Sequence, residues 1–320
     1  MNNKKSRLAI IVPCYDEELL IKSTVETLLK LLDNLSQKDK ISKDSYIYIV
    51  DDGSQDKTWE YTEELHRIYG ERVRGRKFIR NYGCQKAQIA GLLGAREIGC
   101  DCAVSIDADL QQDENAIETF IGEFHKGADI VAGIRIDRKT DSFFKKYSAL
   151  AFYKFMNILG VKIPASRSDF RLVSKRGLDI LSQYNEEGLF LRVFFHEIGL
   201  KTTYVKFNVK PRAAGHSKFS FFALMSLALD GITSFSTAPL RIIAILGFLT
   251  MIGSFLLALE VFFEKYVLHC TTSGWATLVV LSAFFGGLQI FCIGIIGEYL
   301  GKTFQEVKKR PPYIIDKDLG

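Results

Sequence analysis

Three runs of apolar, β-prone residues, Leu8–Pro13, Tyr46–Val50 and Val104–Ile106, each break off at a polar cluster, and the stretches between them carry apolar residues at helical spacing. That alternation predicts an open α/β sheet. In such sheets the ligand crevice lies outside the carboxyl ends of the strands, above all where the strand order reverses. The clusters are Tyr15-Asp16-Glu17-Glu18 after the first run, Asp51-Asp52-Gly53-Ser54 with Asp56 and Thr58 after the second, and Asp107-Ala108-Asp109-Leu110-Gln111 after the third. Acids converging on one sheet end look like a nucleotide site.

Beyond about Arg212 the mixed pattern gives way to a mostly apolar one from Phe219 to Gly297. Ile242–Leu259 and Gly274–Gly297 contain no charged residue. A helix needs about 20 predominantly apolar residues to cross a hydrocarbon core, so both stretches qualify once their flanks are counted. The link around Glu264–Ser273 is short, which predicts a helical hairpin rather than two buried helices of a soluble domain. Phe219–Leu229, with Lys218 before it and Asp230 after, is too short to span and too apolar for a solvated face. It reads as a helix in the membrane interface; packing on the globular domain is the alternative. The expected organisation is a globular domain over 1–212, a juxtamembrane region over 213–239, a transmembrane hairpin over 240–297 and a tail over 298–320.

Charge orients that hairpin. Lys302, Lys308, Lys309 and Arg310 follow it, Lys210, Arg212, Lys218 and Arg241 precede it, and in the link Lys265 is balanced by Glu264. The positive-inside rule puts both ends in the cytoplasm. No long apolar run precedes Pro13, so no signal peptide is expected. A formal net charge of +5 without a basic stripe interleaved with aromatics favours anionic lipid over nucleic acid as a partner. Cys14, Cys84, Cys100, Cys102, Cys270 and Cys292 form no metal spacing and no disulfide framework, which fits inert thiols in a reducing compartment. The five histidines likewise form no metal spacing, and His196 reads as structural. Gly286-Gly287, Gly294 and Gly297 permit close helix contacts, so a homo-oligomer is compatible with the second span.

The Asp107-x-Asp109 pair closes a buried strand rather than a surface turn. Carboxylate and amide oxygens are hard ligands, and Mg²⁺ or Mn²⁺ typically takes one or two protein carboxylates and completes its shell with phosphate oxygens and water. The pattern therefore predicts a diphosphate substrate.

Val12-Pro13-Cys14-Tyr15-Asp16-Glu17-Glu18, Asp51-Asp52-Gly53-Ser54-x-Asp56-x-Thr58, Arg80-Asn81-Tyr82-Gly83 and Asp107-Ala108-Asp109-Leu110-Gln111 occur in the order seen in family 2 glycosyltransferases of the GT-A fold. Ser168-Asp169-Phe170-Arg171-Leu172 and Arg212-x-x-Gly215-x-Ser217-Lys218-Phe219 resemble the polyprenyl-phosphate branch, which includes dolichol-phosphate mannose synthases and bactoprenol glucosyltransferases. The similarity covers nearly the whole chain. It implies a Rossmann-like GT-A catalytic domain followed by an interfacial helix and two transmembrane helices, in a bacterial inner or plasma membrane with the catalytic domain cytoplasmic.

The resemblance also implies roles. Pro13, Tyr15, Glu17, Asp52, Asn81, Lys86 and Asp107 would meet the nucleotide sugar, with Asp52 accepting from the base or a sugar hydroxyl, and Arg212 and Lys218 would close over the diphosphate. Asp107, Asp109 and Gln111 would hold Mg²⁺ or Mn²⁺. Asp169 would sit at the reacting centre with Asp109 and Arg171. Arg135, Arg138, Lys145, Lys146 and Ser148 would hold the phosphate of the lipid acceptor, since arginine forks suit phosphate geometry. The implied reaction moves glucose from UDP-glucose to undecaprenyl or another polyprenyl phosphate with inversion, for cell-envelope glycosylation. UDP-GlcNAc or GDP-mannose as donor, and a non-catalytic membrane scaffold, are the alternatives. A processive polymerase is disfavoured because the Gln-x-x-Arg-Trp motif is absent. The chain departs from common family patterns at Asp16 (often Asn), at Cys84 (often Lys) and at Gln112-Asp113-Glu114, where prolines are frequent.

Overall fold

The computed structural model describes residues 5–135, 167–184, 186, 188–209, 237–266 and 274–320. Strands β1 (Leu8–Cys14), β2 (Tyr46–Asp51), β3 (Val73–Phe78), β4 (Cys102–Ser105), β5 (Ile130–Arg135), β6 (Arg167–Ser174), β7 (Thr202–Phe207) and β8 (Ile315–Leu319) form one sheet in the order β7-β5-β6-β4-β1-β2-β3-β8. The sheet is mixed. β1 runs parallel to β2 and β4, and β2 to β3, whereas β6 is antiparallel to β4 and β5, and β8 to β3. This is the α/β, GT-A-like architecture that the sequence predicts.

β1, β2 and β4 are buried along their whole length, as parallel strands covered on both faces must be. Helix α1 (Ile21–Gln37) covers one face with Ile21, Val25, Leu28, Leu32 and Leu35, the helical repeat that makes one apolar stripe. α3 (Cys84–Ile98) covers the other face, and a Cβ on Gly91 would come within 2.2 Å of the Ile11 side chain. Only a glycine lets that helix lie so close to the central strands. α2 (Thr58–Tyr69), α4 (Ala116–His125), α5 (Lys175–Leu181) and α6 (Leu191–Glu197) complete the layers.

From β1 the chain steps outward to β2 and β3, then returns to the other side of β1 as β4. The strand order therefore reverses at the carboxyl ends of β1 and β4, where an open sheet leaves a crevice.

Two differences from the expected domain layout stand out. The helix after the link, α8 (Trp275–Val307), continues past Gly297. The residues after it are no free tail: Pro311–Gly320 group with the sheet unit, and β8 pairs along β3. Ile315-Asp316-Lys317-Asp318-Leu319 sets three charged residues between two apolar ones, which suits an edge strand but gives no apolar run to notice.

The second unit contains α8 and α7 (Ala238–Tyr266). By length and composition both could cross a membrane, with apolar windows at Pro239–Leu256 and Phe284–Val307. Ile245, Phe255, Leu278, Ile290 and Phe291 are among the large apolar side chains they expose. The interfacial helix expected over Phe219–Leu229 lies outside the described residues.

Candidate active site

The loop after β1 and the loop after β2 are laced together. Ser54 Oγ accepts from the Asp16 amide at 2.9 Å, Thr58 Oγ1 from Glu17 at 2.9 Å, and Asp56 Oδ2 from Glu18 at 3.0 Å. In return Asp16 Oδ1 accepts from the Gln55 amide at 3.0 Å and Glu18 Oε2 from Lys57 at 3.1 Å. Ser54, Asp56 and Thr58 thus act as a brace that holds Tyr15 and Glu17 at the rim of the crevice.

Asp51 is fully buried at the end of β2. Its Oδ1 accepts from the Ser54 amide and hydroxyl at 2.9 and 2.5 Å, while Oδ2 has no hydrogen-bond partner and lies 3.9 Å from the Lys77 ammonium. Burial pushes its carboxyl above the ordinary range, against the opposing pull of Ser54 and Lys77. Asp52 is expected to face the nucleoside, yet its two oxygens already accept from the Tyr82 and Gly83 amides at 2.7 and 2.8 Å. It fixes the turn that leads into α3. Gly53, at φ +74°, is required there, because a Cβ would lie 2.4 Å from the Arg80 carbonyl carbon. Asn81 is exposed on that turn, and Lys86 sits over the Tyr82 ring at 5.9 Å, close enough to Asp52 to oppose the upward push of burial on its carboxyl. Pro13 is buried within β1.

On the other side of the reversal, the Thr24 hydroxyl of α1 donates to the Ala108 carbonyl at 2.6 Å and pins the centre of the Asp-x-Asp segment. Gln112 grips Asp107 twice: its Oε1 accepts from the Asp107 amide at 2.9 Å and its Nε2 donates to Oδ2 at 2.5 Å. Gln112 is buried. A proline at this position could make neither bond. Asp109 Oδ1 accepts from the Gln111 amide at 3.1 Å, which closes the turn through Leu110.

Asp169 reaches this place through register. β6 pairs with β4 at Ser105↔Arg171, and carrying that antiparallel register two residues onward sets Asp169 abreast of Asp107. Burial, then the Asp109 and Asp169 carboxylates, push the Asp107 carboxyl up to about 6, with Arg135 pulling the other way. Asp107, Asp109 and Asp169 therefore share one electrostatic neighbourhood, and Arg135, exposed at the end of β5, belongs to it. Cys84, at the start of α3, is exposed but lies near the same acids, and Asp107, Asp169 and Asp52 all act to raise its thiol.

Arg192 carries no motif, and sequence reasoning missed it. Its Nη2 donates to Asp169 Oδ2 at 2.7 Å and its Nε to Oδ1 at 3.3 Å, a bidentate grip. Arg171, expected at the reacting centre with Asp169 and Asp109, is 5% exposed, gives Nη1 to the Leu191 carbonyl at 2.9 Å and Nη2 to Asp169 at 3.2 Å. It buttresses Asp169 from within the sheet. Arg138, Lys145, Lys146, Ser148, Arg212 and Lys218 lie outside the described residues.

Among the described residues no group of three or more His, Cys, Asp or Glu side chains forms a metal cage. The oxygen donors that are present, two carboxylates and an amide on one turn with a third carboxylate nearby, suit a hard cation that draws the rest of its shell from phosphate and water. The mutual repulsion recorded at Asp107 is what such a cation relieves.

The pattern that describes glycosyl transferase family 2 matches residues 9–181. The glycosyltransferase YkoT of Bacillus subtilis (strain 168) is 44% identical over 319 residues, covering 100% of this chain and 94% of that protein. The prophage bactoprenol glucosyl transferase homolog of Escherichia coli (strain K12) is 34% identical over 312 residues, covering 97% of this chain and 99% of its own. The bactoprenol glucosyl transferase of Shigella phage SfII is 34% identical over 312 residues, covering 97% and 98%.

Proposed function

The chain belongs to glycosyltransferase family 2, and from that premise we propose that it transfers a sugar, glucose from UDP-glucose by preference, to a polyprenyl phosphate at the cytoplasmic face of a membrane. The observation that carries the reading is the meeting of Asp107, Asp109 and Asp169 at the strand-order reversal, next to the braced loops of Asp16–Glu18 and Asp51–Ser54. Relatives named bactoprenol glucosyl transferases match nearly the full chain, which supports the lipid acceptor. Two helices of spanning length, in the same chain as the site, fit an acceptor that never leaves the bilayer.

Asp107, Asp109 and Gln111 would hold Mg²⁺ or Mn²⁺, which when bound offsets the charge on the departing nucleoside diphosphate. A phosphate monoester has its second pKa near 6, so the acceptor is largely dianionic at neutral pH and needs no strong base. One of its oxygens attacks the anomeric carbon as the bond from that carbon to the diphosphate oxygen breaks. A single in-line displacement inverts the centre. Asp169, fixed by Arg192 and Arg171, would steady a sugar hydroxyl or the positive charge that develops on the ring, a contribution of placement and electrostatics. Arg135 is the described cation suited to the acceptor phosphate, and Arg138, Lys145, Lys146, Ser148, Arg212 and Lys218 are proposed partners on sequence grounds.

The test is a transfer assay on detergent-extracted protein with UDP-glucose, UDP-GlcNAc and GDP-mannose, each with and without undecaprenyl phosphate. Lipid-dependent transfer of one sugar, abolished by chelator and restored by Mg²⁺ or Mn²⁺, is expected. Transfer that ignores the lipid would overturn the acceptor, and full activity in chelator would overturn the metal assignment.

A further inference from the structure

The segment that carries the Tyr82 and Gly83 amides is held from two directions. On its inner side lie Asp52, which accepts both amides, and Gly53, which touches the Arg80 backbone. On its outer side lie the residues that follow the helical hairpin. Tyr313 stacks on Phe78 with ring centroids 4.8 Å apart and planes 17° from parallel, and Phe78 meets the Tyr82 ring edge-to-face at 5.7 Å. The Ile79 amide donates to the Ile314 carbonyl at 3.2 Å. Farther along, Arg76 pairs with Asp318 at 2.7 Å and Lys317 with Glu63 at 3.1 Å, and Arg74 Nη1 donates to the Gly320 carbonyl at 2.6 Å. Phe78 is fully buried, so its ring has no room to absorb a change on one side without passing it to the other.

We propose that Tyr313 is a positioning residue for the donor pocket: through Phe78 and Tyr82 it sets the turn whose amides fix Asp52. The nucleoside end of the site is thereby built from both ends of the chain, with its outer support supplied by residues translated after the membrane hairpin. The inference rests on the reading of the Asp51–Ser54 turn and the Asn81–Gly83 segment as the nucleoside pocket. The aromatic contact is direct and local, whereas the ion pairs at Asp318 and Lys317 are exposed and contribute little each. The ring of Tyr313, more than the charges of β8, carries the coupling.

Full-length protein in detergent or nanodiscs serves for the test, as wild type, Tyr313→Ala, Tyr313→Phe and Lys317→Ala. Two quantities are read: amide hydrogen exchange over residues 79–83, with residues 8–14 as internal control, and affinity for UDP and GDP alongside KM for donor and acceptor. Tyr313→Ala should speed exchange at 79–83 and weaken nucleotide binding and raise donor KM by about three- to tenfold, the range for losing one aromatic pair. Acceptor KM and exchange at 8–14 should stay put. Tyr313→Phe keeps the ring and should restore both readings, and Lys317→Ala should resemble wild type.

Unchanged exchange in Tyr313→Ala would overturn the coupling, and faster exchange with wild-type nucleotide affinity would overturn the role in donor positioning. Should Tyr313→Ala fail to fold, Tyr313→Leu, which keeps apolar bulk and loses the flat stack, faces the same two criteria. If the wild type binds neither nucleotide, the transferase reading fails instead, and exchange at 79–83 still decides the coupling by itself.

Discussion

Arg192 touches both oxygens of Asp169, and Arg171 touches one of them from the buried side. A carboxylate so held is fixed in position. Arg192→Ala is expected to lower kcat by about 10- to 100-fold with a smaller change in donor KM, since it leaves Asp169 in place but unsteered. Arg192→Lys should recover only part, because an ammonium cannot supply the fork. Equal kinetics for all three proteins would remove Asp169 from the reaction. A second test concerns Asp51, whose folded-state carboxyl lies above its ordinary value through burial. Its ionised form is disfavoured in the fold, so its cost to stability is fully present at pH 7 and fades as pH falls toward its unfolded value. Asp51→Asn keeps an Oδ1 acceptor for Ser54 and drops the buried charge. It should therefore raise the melting temperature at pH 7, with the gain shrinking toward pH 4. A lower melting temperature at pH 7 would mean that Lys77 outweighs burial. Asp51, Asp52, Asp107 and Asp109 were legible because they follow apolar runs, whereas Asp169 was reached only through the resemblance carried by Ser168–Leu172. Their partners were not legible. Arg192 and Gln112 acquire meaning only when a strand register or a turn brings them to a carboxylate, and neither residue type is marked by periodicity.

At the level of elements, β1, β2 and β4 announced themselves as apolar runs, and α1 as an apolar stripe. β6 and β8 did not, for a shared reason. Arg167–Ser174 mixes charged with apolar residues, and Ile315–Leu319 is mostly charged. Each is recruited by a neighbour's unpaired edge rather than by its own pattern. β8 nevertheless constrains the hairpin. It pairs with β3 in the same sheet as the rest of the globular unit, so the chain on either side of α7 and α8 ends in one compartment. If those helices cross a membrane, they cross it as a pair. Single cysteines placed at Lys4 and Lys317 should then be shielded from an impermeant thiol reagent added outside intact cells, and one at Ser273 should react. Labelling of Lys317 with protection of Lys4 would break the topology.

For the molecule as a whole, the sheet unit and the helical unit are threaded by one chain that leaves the first, forms the second and returns. The return closes an edge: without β8, β3 would present a row of unpaired amides and carbonyls, an invitation to pair with another chain. A protein stopped after Arg310 is expected to melt several degrees lower and to form more aggregate in detergent than the full chain. Matching melting curves and elution profiles for the two would show that the edge needs no cover.

The returning strand also gives the protein a clock. Phe207 ends β7 and Ile315 begins β8, so 108 positions of further synthesis separate them, about 5 to 20 s at common translation rates. For that interval seven strands can assemble while the eighth has yet to be made, and the wall behind Tyr82 is missing. A newly made chain thus acquires the wall behind Tyr82 only after both long helices have been synthesised, so this part of the sheet unit is completed last.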